Sequence, residues 1–296
     1  MNGEVGLIGL GVMGAAMAKN IAKAGIKLTV FNRSPGPAKA FAGTSVRAAR
    51  SVEEVFARCE TIVLMLKDDA ATDAVLARKG EAVGLAVKGR TLINTATLTP
   101  AYSGALSEAV AAAGGVYIEA PVSGSLAPAE AGALLVMAAG PREAVEAAAP
   151  IFAAIGKETI YCGGPPAAMR MKCASNFQLA GLMSGLAEAF NFARRTGLDP
   201  ELFAKVVLGG PMACDFLRMK LARALAGDYA PQASVANVAY SLDVALDEAS
   251  RHGAATPLAR LMRANCEKAA QMGFGEEDIL ALIKVLASAG EGEGRR

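Results

Sequence analysis

Short apolar runs alternate with helical periodicity over the first half of the chain. Residues 5–10 predict a strand, 13–23 a helix that ends near Gly25, and 28–31 a second strand. Residues 61–66 (TIVLML) are apolar throughout, the pattern of a strand covered on both faces. A helix over 70–77 and a strand over 91–94 follow. Thr99 and Pro100 then supply an N-cap residue and an N1 proline for a helix over 101–113. Strands at 116–119, 134–138 and 159–161 complete this half, with a helix over 142–154 before the last. The alternation implies a parallel, doubly wound sheet. After Cys162-Gly163-Gly164-Pro165-Pro166 the periodicity is helical. Residues 167–196 read as one helix about 45 Å long, followed by helices over 200–208, 214–224, 235–251, 257–272 and 276–287. The change of texture puts a domain boundary at residue 163, with an α/β domain over 1–163 and an all-α domain over 164–296. The glycine- and charge-rich tail, 290–296, is expected to fray.

Composition narrows the class. Of 296 residues, 53% are apolar and 20% charged, which allows a sizeable core and excludes wholesale disorder. Thirty Lys and Arg against 28 Asp and Glu leave a net charge of +2. That balance supplies neither an electrostatic footprint for nucleic acid nor a basic arm for a membrane surface. The single histidine, His252, excludes a His-rich metal site; before Gly253 it suits a helix C-cap. Five cysteines without a CxxC read as free thiols of a reducing compartment. Residues 1–14 lack the basic start of a secretory signal, and the apolar stretch 173–187 is too short to span a bilayer. A soluble, cytoplasmic protein is expected.

Gly9-Leu10-Gly11-Val12-Met13-Gly14 matches G-x-G-x-x-G between a predicted strand and a predicted helix, the context a dinucleotide site requires. Gly9 permits the tight turn, Gly11 lets backbone approach a pyrophosphate, and Gly14 allows close helix–strand packing. The helix N-terminus offers unpaired N–H groups to the phosphates. An NAD site wants an acidic residue about 20 positions on, for the ribose 2′-OH. Here the second strand runs into Asn32-Arg33-Ser34, with no acid. Arg33 suits a 2′-phosphate, with Ser34 adding a hydroxyl and Lys39 a second positive charge. NADP(H) is therefore expected over NAD(H). Asn94-Thr95 and Met65-Leu66 stand at predicted strand ends that would line the same cleft, although core packing is the commoner role of a residue like Met65.

The chain resembles the β-hydroxyacid dehydrogenase family over nearly its whole length. The likeness rests on the glycine motif with Met17-Ala18-Lys19-Asn20 and Lys23-Ala24-Gly25, on Glu119-Ala120-Pro121-Val122-Ser123-Gly124, on Gly163-Gly164 leading to Lys172 and Asn176, and on the helix 235–251. Asn32-Arg33-Ser34 and the segment 125–132 resemble the NADP-dependent glyoxylate/succinic semialdehyde reductase branch more than 3-hydroxyisobutyrate dehydrogenase. The resemblance implies a Rossmann domain and an all-α domain joined by a long helix, with the active site between them. It also implies Lys172 as catalytic acid/base, Ser123 and Gly124 as the binders of a substrate acid group, and Thr95 near the nicotinamide end of the cofactor.

The chemistry of the residues is compatible. Carbonyl reduction needs a proton donor near the oxygen. Lys172 has Met171, Cys173 and Ala174 beside it, and apolar surroundings lower a lysine's pKa; a structural lysine with a buried stem fits the same pattern. Asn176 falls on the same helix face. A serine hydroxyl beside glycine N–H groups makes a carboxylate cradle, or an ordinary turn. The family's Lys-Asp pair is replaced by Tyr240-Ser241, and its nearby aromatic by Ala233. Asp243 and Asp247 read as a solvated face. The expected activity is reduction of a small aldehyde or ketone to the hydroxy acid. The alternatives are a 3-hydroxyisobutyrate dehydrogenase-like or imine-reducing relative, and a non-catalytic cofactor-binding scaffold. Phe177, Leu182, Met183, Leu186, Phe190 and Phe192 give the long helix more apolar surface than a small domain should cover, so a homodimer or homotetramer is expected.

Overall fold

A computed structural model describes residues 3–41, 43–80 and 82–293. They pack as two compact units, one through Lys172 and one from Cys173. In the first unit β1 (Val5–Ile8), β2 (Leu28–Phe31), β3 (Arg47–Ala48), β4 (Thr61–Leu64), β5 (Thr91–Asn94) and β6 (Val116–Glu119) run parallel in the order β3-β2-β1-β4-β5-β6. That is the strand order of dinucleotide-binding folds. The far edge departs from the expected all-parallel sheet. There β8 (Leu134–Ala139) pairs antiparallel with β6 and with the short β7 (Val122–Ser123), and parallel with β9 (Gly156–Gly163). Both β6 and β7 pair antiparallel with β8 in one register, so β7 continues the line of β6 past Ala120-Pro121, and the chain reverses only in the short segment between β7 and β8, which carries no crossover long enough for a parallel pair.

The continuous apolar runs have a direct structural reading. Leu7, Val63, Ile93 and Ile118 face one core, shared with α1 (Val12–Lys23) and α8 (Ala149–Ile155). Their neighbours Ile8, Ile62, Leu64, Leu92 and Tyr117 face the other, shared with α3 (Val52–Arg58) and α5 (Pro100–Ala112). Alternate side chains fill opposite faces, so a strand buried on both sides reads as apolar at successive positions.

Local chemistry sets the boundaries. The helix expected over 142–154 is two helices, α7 (Arg142–Ala147) and α8. Pro150 has no N–H and its ring would clash with the carbonyl of Glu146 in a continuous helix. Thr99 caps α5 as expected, its hydroxyl accepting the Tyr102 N–H. The periodicity did not single out α3, although Ser51 accepts the Glu54 N–H at its start. Also beyond that reading are α2 (Pro35–Lys39) and α6 (Leu126–Glu130). Between α3 and α5 lies α4 (Asp69–Leu76).

Helix α9 (Ala167–Arg195) is continuous over 29 residues. The second unit adds α10 (Pro200–Gly209), α11 (Asp215–Ala226), α12 (Val235–Arg251), α13 (Pro257–Gln271), a 3₁₀ turn (Ile279–Ala281) and α14 (Leu282–Glu293). Its core gathers Met183, Leu186, Phe190, Leu221, Leu242, Met262 and Ile283. Three of the apolar side chains that pointed to an oligomer, Met183, Leu186 and Phe190, are thus buried within this unit; Phe192 is 65% exposed. Helix α14 starts later than the 276–287 expected, because Asp278 caps the 3₁₀ turn before it, and it runs on to Glu293. Residues 294–296 of the tail lie outside the described residues. Among the described residues, no helix is long and apolar enough to cross a membrane.

Candidate active site

The register of the parallel strands puts their last residues in one row: Phe31 beside Ile8, Ile8 beside Leu64, Leu64 beside Asn94, Asn94 beside Glu119. The next residues therefore leave the sheet along a single edge. They are Asn32, Gly9, Met65, Thr95 and Ala120. In an open α/β sheet this carboxyl edge is where ligands bind. The cofactor candidates at the ends of β1, β2, β4 and β5 fall on it because those strands are parallel and end together.

The glycines of the first turn are each required for a different reason. Gly9 has φ +101°, and a Cβ there would sit 2.2 Å from the Met65 carbonyl oxygen. A Cβ on Gly14 would meet the Gly9 carbonyl oxygen at 1.9 Å. Gly11 is different: nothing lies within 4 Å of its Cβ position, so protein packing does not explain it. That open space in front of the first turn of α1 fits an approaching pyrophosphate, held by the N–H groups that a helix leaves unpaired. Gly11→Ala is accordingly expected to keep the wild-type Tm and lose roughly tenfold or more in cofactor affinity. Gly14→Ala is expected to destabilise the fold by about 1–3 kcal/mol. Thermal melts and cofactor fluorescence titrations separate the two, and equal behaviour of the two variants would contradict the assignment. Val12, 65% exposed, and Met13, packed against the core, follow in the turn.

Asn32 is occupied by the protein itself. Its Oδ1 accepts the Leu10 N–H at 2.8 Å and its Nδ2 donates to the Ser34 carbonyl at 2.9 Å. It ties the end of β2 to the glycine turn and so shapes the site. Arg33 and Ser34 are exposed, and the Ser34 hydroxyl makes no capping bond to α2. Thr95 is buried. Its hydroxyl donates to the Leu64 carbonyl at 2.9 Å and lies 3.3 Å from the Met65 sulfur, joining the ends of β4 and β5. Met65 and Leu66 are half-buried, packed against opposite cores. Asn94 is fully buried, with Nδ2 donating to Ala96.

Ser123 ends β7, paired with Leu135 on β8. Gly124 follows at φ +130°, a conformation that favours glycine, and a Cβ there would press on Leu134 at 2.8 Å. The loop is anchored beyond, where Asn20 Nδ2 on α1 donates to the Ala129 carbonyl of α6 at 2.7 Å. The helix that opens the cofactor turn thus also steadies the segment carrying Ser123.

Lys172 and Asn176 stand one turn apart on α9, Lys172 half-buried and Asn176 8% exposed. The Asn176 amide nitrogen is buried without a hydrogen-bond partner among the described residues. Buried polar atoms are nearly always paired, so a bare donor one turn from a lysine suits an incoming oxygen. Sequence reading missed the side chain that holds this helix. Glu119 Oε2 accepts the N–H of Ala168 at 3.0 Å and of Met169 at 3.3 Å. Its signal was only an acid at a strand end; the partners lie 49 and 50 residues away.

In the second unit Tyr240 packs with Val244 and Ala245, and Ala233 against the main core. Asp243 and Asp247 are surface residues bonded to Arg263 and Arg251. His252 is the C-cap residue of α12. None of the five cysteines is in a disulfide. Burial pushes the thiols of Cys59 and Cys266 up to about 11, out of nucleophilic range at neutral pH.

The chain is similar to known proteins over nearly its whole length. Residues 4–164 match the family model of the NAD binding domain of 6-phosphogluconate dehydrogenase. Residues 167–286 match that of the NAD-binding of NADP-dependent 3-hydroxyisobutyrate dehydrogenase. The chain is 30% identical to the chloroplastic glyoxylate/succinic semialdehyde reductase 2 of Arabidopsis thaliana, over 97% of this chain and 80% of that one. It is 29% identical to glyoxylate/succinic semialdehyde reductase 1 of the same plant, over 96% and 98%. A crystal structure of 3-hydroxyisobutyrate dehydrogenase from Salmonella typhimurium superposes with a TM-score of 0.84 at 25% identity, covering 96% of this chain and all of that one.

Proposed function

The chain belongs to the β-hydroxyacid dehydrogenase family, NAD(P)-binding oxidoreductases acting on CH–OH or C=O, and from that premise we propose that it reduces a small aldehyde bearing a carboxylate, of the glyoxylate or succinic semialdehyde type, with NADPH. The observation that carries the reading is the single sheet edge. It brings together the open glycine turn and the strand that leads into Ser123-Gly124, and its last residue on that strand, Glu119, holds the helix of Lys172. A scaffold needs none of these beyond the turn.

Each residue has a part in the proposed reaction. The helix N-terminus at Gly11 holds the pyrophosphate. Arg33 and Ser34, exposed where an NAD site would place a carboxylate, hold the 2′-phosphate. A reduced nicotinamide, when bound, supplies the hydride. Ser123 and the Gly124 N–H hold the substrate carboxylate. The Lys172 ammonium gives its proton to the developing alkoxide, while the Asn176 amide donates to the same oxygen or steadies the ammonium. The family's lysine is Tyr240 here, so neutral donors carry more of the carboxylate's binding. Less acidic carbonyls should then be tolerated alongside small acids.

The test is turnover of glyoxylate, succinic semialdehyde and a neutral aldehyde with each cofactor, in wild type and in Arg33→Ala. NADPH should outcompete NADH. The variant should lose roughly 1.5–3 kcal/mol of NADPH affinity, the range for hydrogen bonds to a charged group, with NADH unmoved. Equal losses for both cofactors would remove Arg33 from phosphate recognition. Failure to turn over either carboxylated aldehyde would overturn the substrate class.

A further inference from the structure

Helix α9 begins without local help. The residues before it, Gly163-Gly164-Pro165-Pro166, offer no side-chain acceptor for the N–H groups that a helix leaves unpaired in its first turn. The acceptor comes instead from the end of β6. Glu119 is fully buried there, with one carboxyl oxygen on Ala168 and Met169. Burial pushes this carboxyl above its ordinary range, against the pull of the Ser103 hydroxyl, the two N–H groups and the Arg170 charge. Holding such a group in the interior is costly, and a stable helix start does not need a buried carboxyl.

What the carboxyl does hold is a distance. Ala168 lies one turn before Lys172, and in an α-helix the Lys172 N–H bonds back to the Ala168 carbonyl. Ser123 lies four residues beyond Glu119 on the same run of chain. A single side chain therefore stands between the two groups that must address opposite ends of one small substrate. We propose that Glu119 is a positioning residue for the reaction, fixing Lys172 relative to the Ser123-Gly124 loop. This rests on the reading of Lys172 as proton donor and of that loop as carboxylate binder. The competing account is a cap that serves stability alone.

Glu119→Gln keeps the size and one acceptor but removes the charge-assisted bonds. With succinic semialdehyde and NADPH its kcat is expected to fall on the order of 10–100-fold, the scale of a misplaced catalytic group. NADPH affinity by fluorescence titration should stay within about twofold, because Glu119 touches no residue of the glycine turn. Amide exchange at residues 168–172 should quicken by roughly tenfold or more. If Glu119→Gln does not fold, Glu119→Asp carries the same measurements, since it keeps the charge and withdraws it by one methylene. Quicker exchange with kcat near wild type would make the cap purely structural and overturn the proposal. Lys172→Ala is measured in parallel. Wild-type kcat there would bring down the catalytic reading and this inference together. A slow Lys172→Ala beside a fast Glu119→Gln would bring down only the inference.

Discussion

Replacing Lys172 by alanine is expected to lower kcat by roughly 10²–10⁴-fold, the usual contribution of a positioned general acid. The residue sits one turn into the long helix, with Asn176 one turn beyond on the same face. Removing its ammonium leaves the developing alkoxide with neutral donors only. Cofactor affinity should survive, since the glycine turn and the end of β2 are untouched. Lys172→Arg separates charge from proton donation: arginine keeps the positive charge but does not give up a proton at accessible pH. It should remain nearly as slow as alanine. Single-turnover rates at saturating NADPH make the comparison. An alanine variant with most of its activity would remove Lys172 from the chemistry, and a fast arginine variant would reduce its role to electrostatics.

The largest loss of stability is expected in the second unit, from Asp278→Ala. Asp278 is fully buried and its Oδ1 accepts from Lys220, itself 2% exposed. Its Oδ2 accepts the N–H of Gln232 and Ala233, and Arg223 lies 3.6 Å away. The carboxyl thus joins α11, the loop before α12 and the 3₁₀ turn. Removing it strands a buried ammonium and three backbone N–H groups, the third that of Leu280. The expected loss is about 3–5 kcal/mol, read from urea titration. The double replacement Lys220→Met, Asp278→Leu should recover much of it, because a buried pair is often no better than apolar packing. Burial pushes the Asp278 carboxyl up, yet the Lys220 bond and charge with the backbone N–H groups together hold it below its ordinary value. A carboxyl whose folded pKa is lowered stabilises above its unfolded pKa, about 3.9. Its contribution should be complete above about pH 5 and lost as pH falls through the lowered value. A small effect of Asp278→Ala would show that the neighbouring loop relaxes to admit water.

What could be read from the chain ahead of the structure was local. The glycine turn was legible because its spacing, its strand and its helix occupy adjacent residues. The start of α5 was legible because Thr99 and Pro100 act on the next few N–H groups. The reversal between β7 and β8 was not, since Val122-Ser123 is too short to show a period. The break at Ala148 turned on a single proline inside an otherwise regular pattern. The side chains that organise the candidate site were the least legible. Thr95 looks like a cofactor contact at a strand end, but the register with β4 gives its hydroxyl a carbonyl to bond. Glu119 and Asp278 each look like ordinary acids, and their partners are supplied only by folding, 49 and 58 residues away.

The bonds of Asn32 also bear on how such a protein changes over time. Its amide uses both ends to keep the glycine turn and the end of β2 together, and it takes from position 34 only the backbone carbonyl. The side chains at 33 and 34 have no share in that work and project from the surface. If Arg33 and Ser34 read the 2′-phosphate as proposed, shape and discrimination are written on neighbouring but separate letters. Mutations can sample positions 33 and 34 without disturbing the turn, because surface changes away from such contacts move stability little. On the proposed reading of Arg33 and Ser34 as holders of the 2′-phosphate, a lineage built on this loop would exchange one nicotinamide cofactor for the other in a step or two, with the turn inherited unchanged.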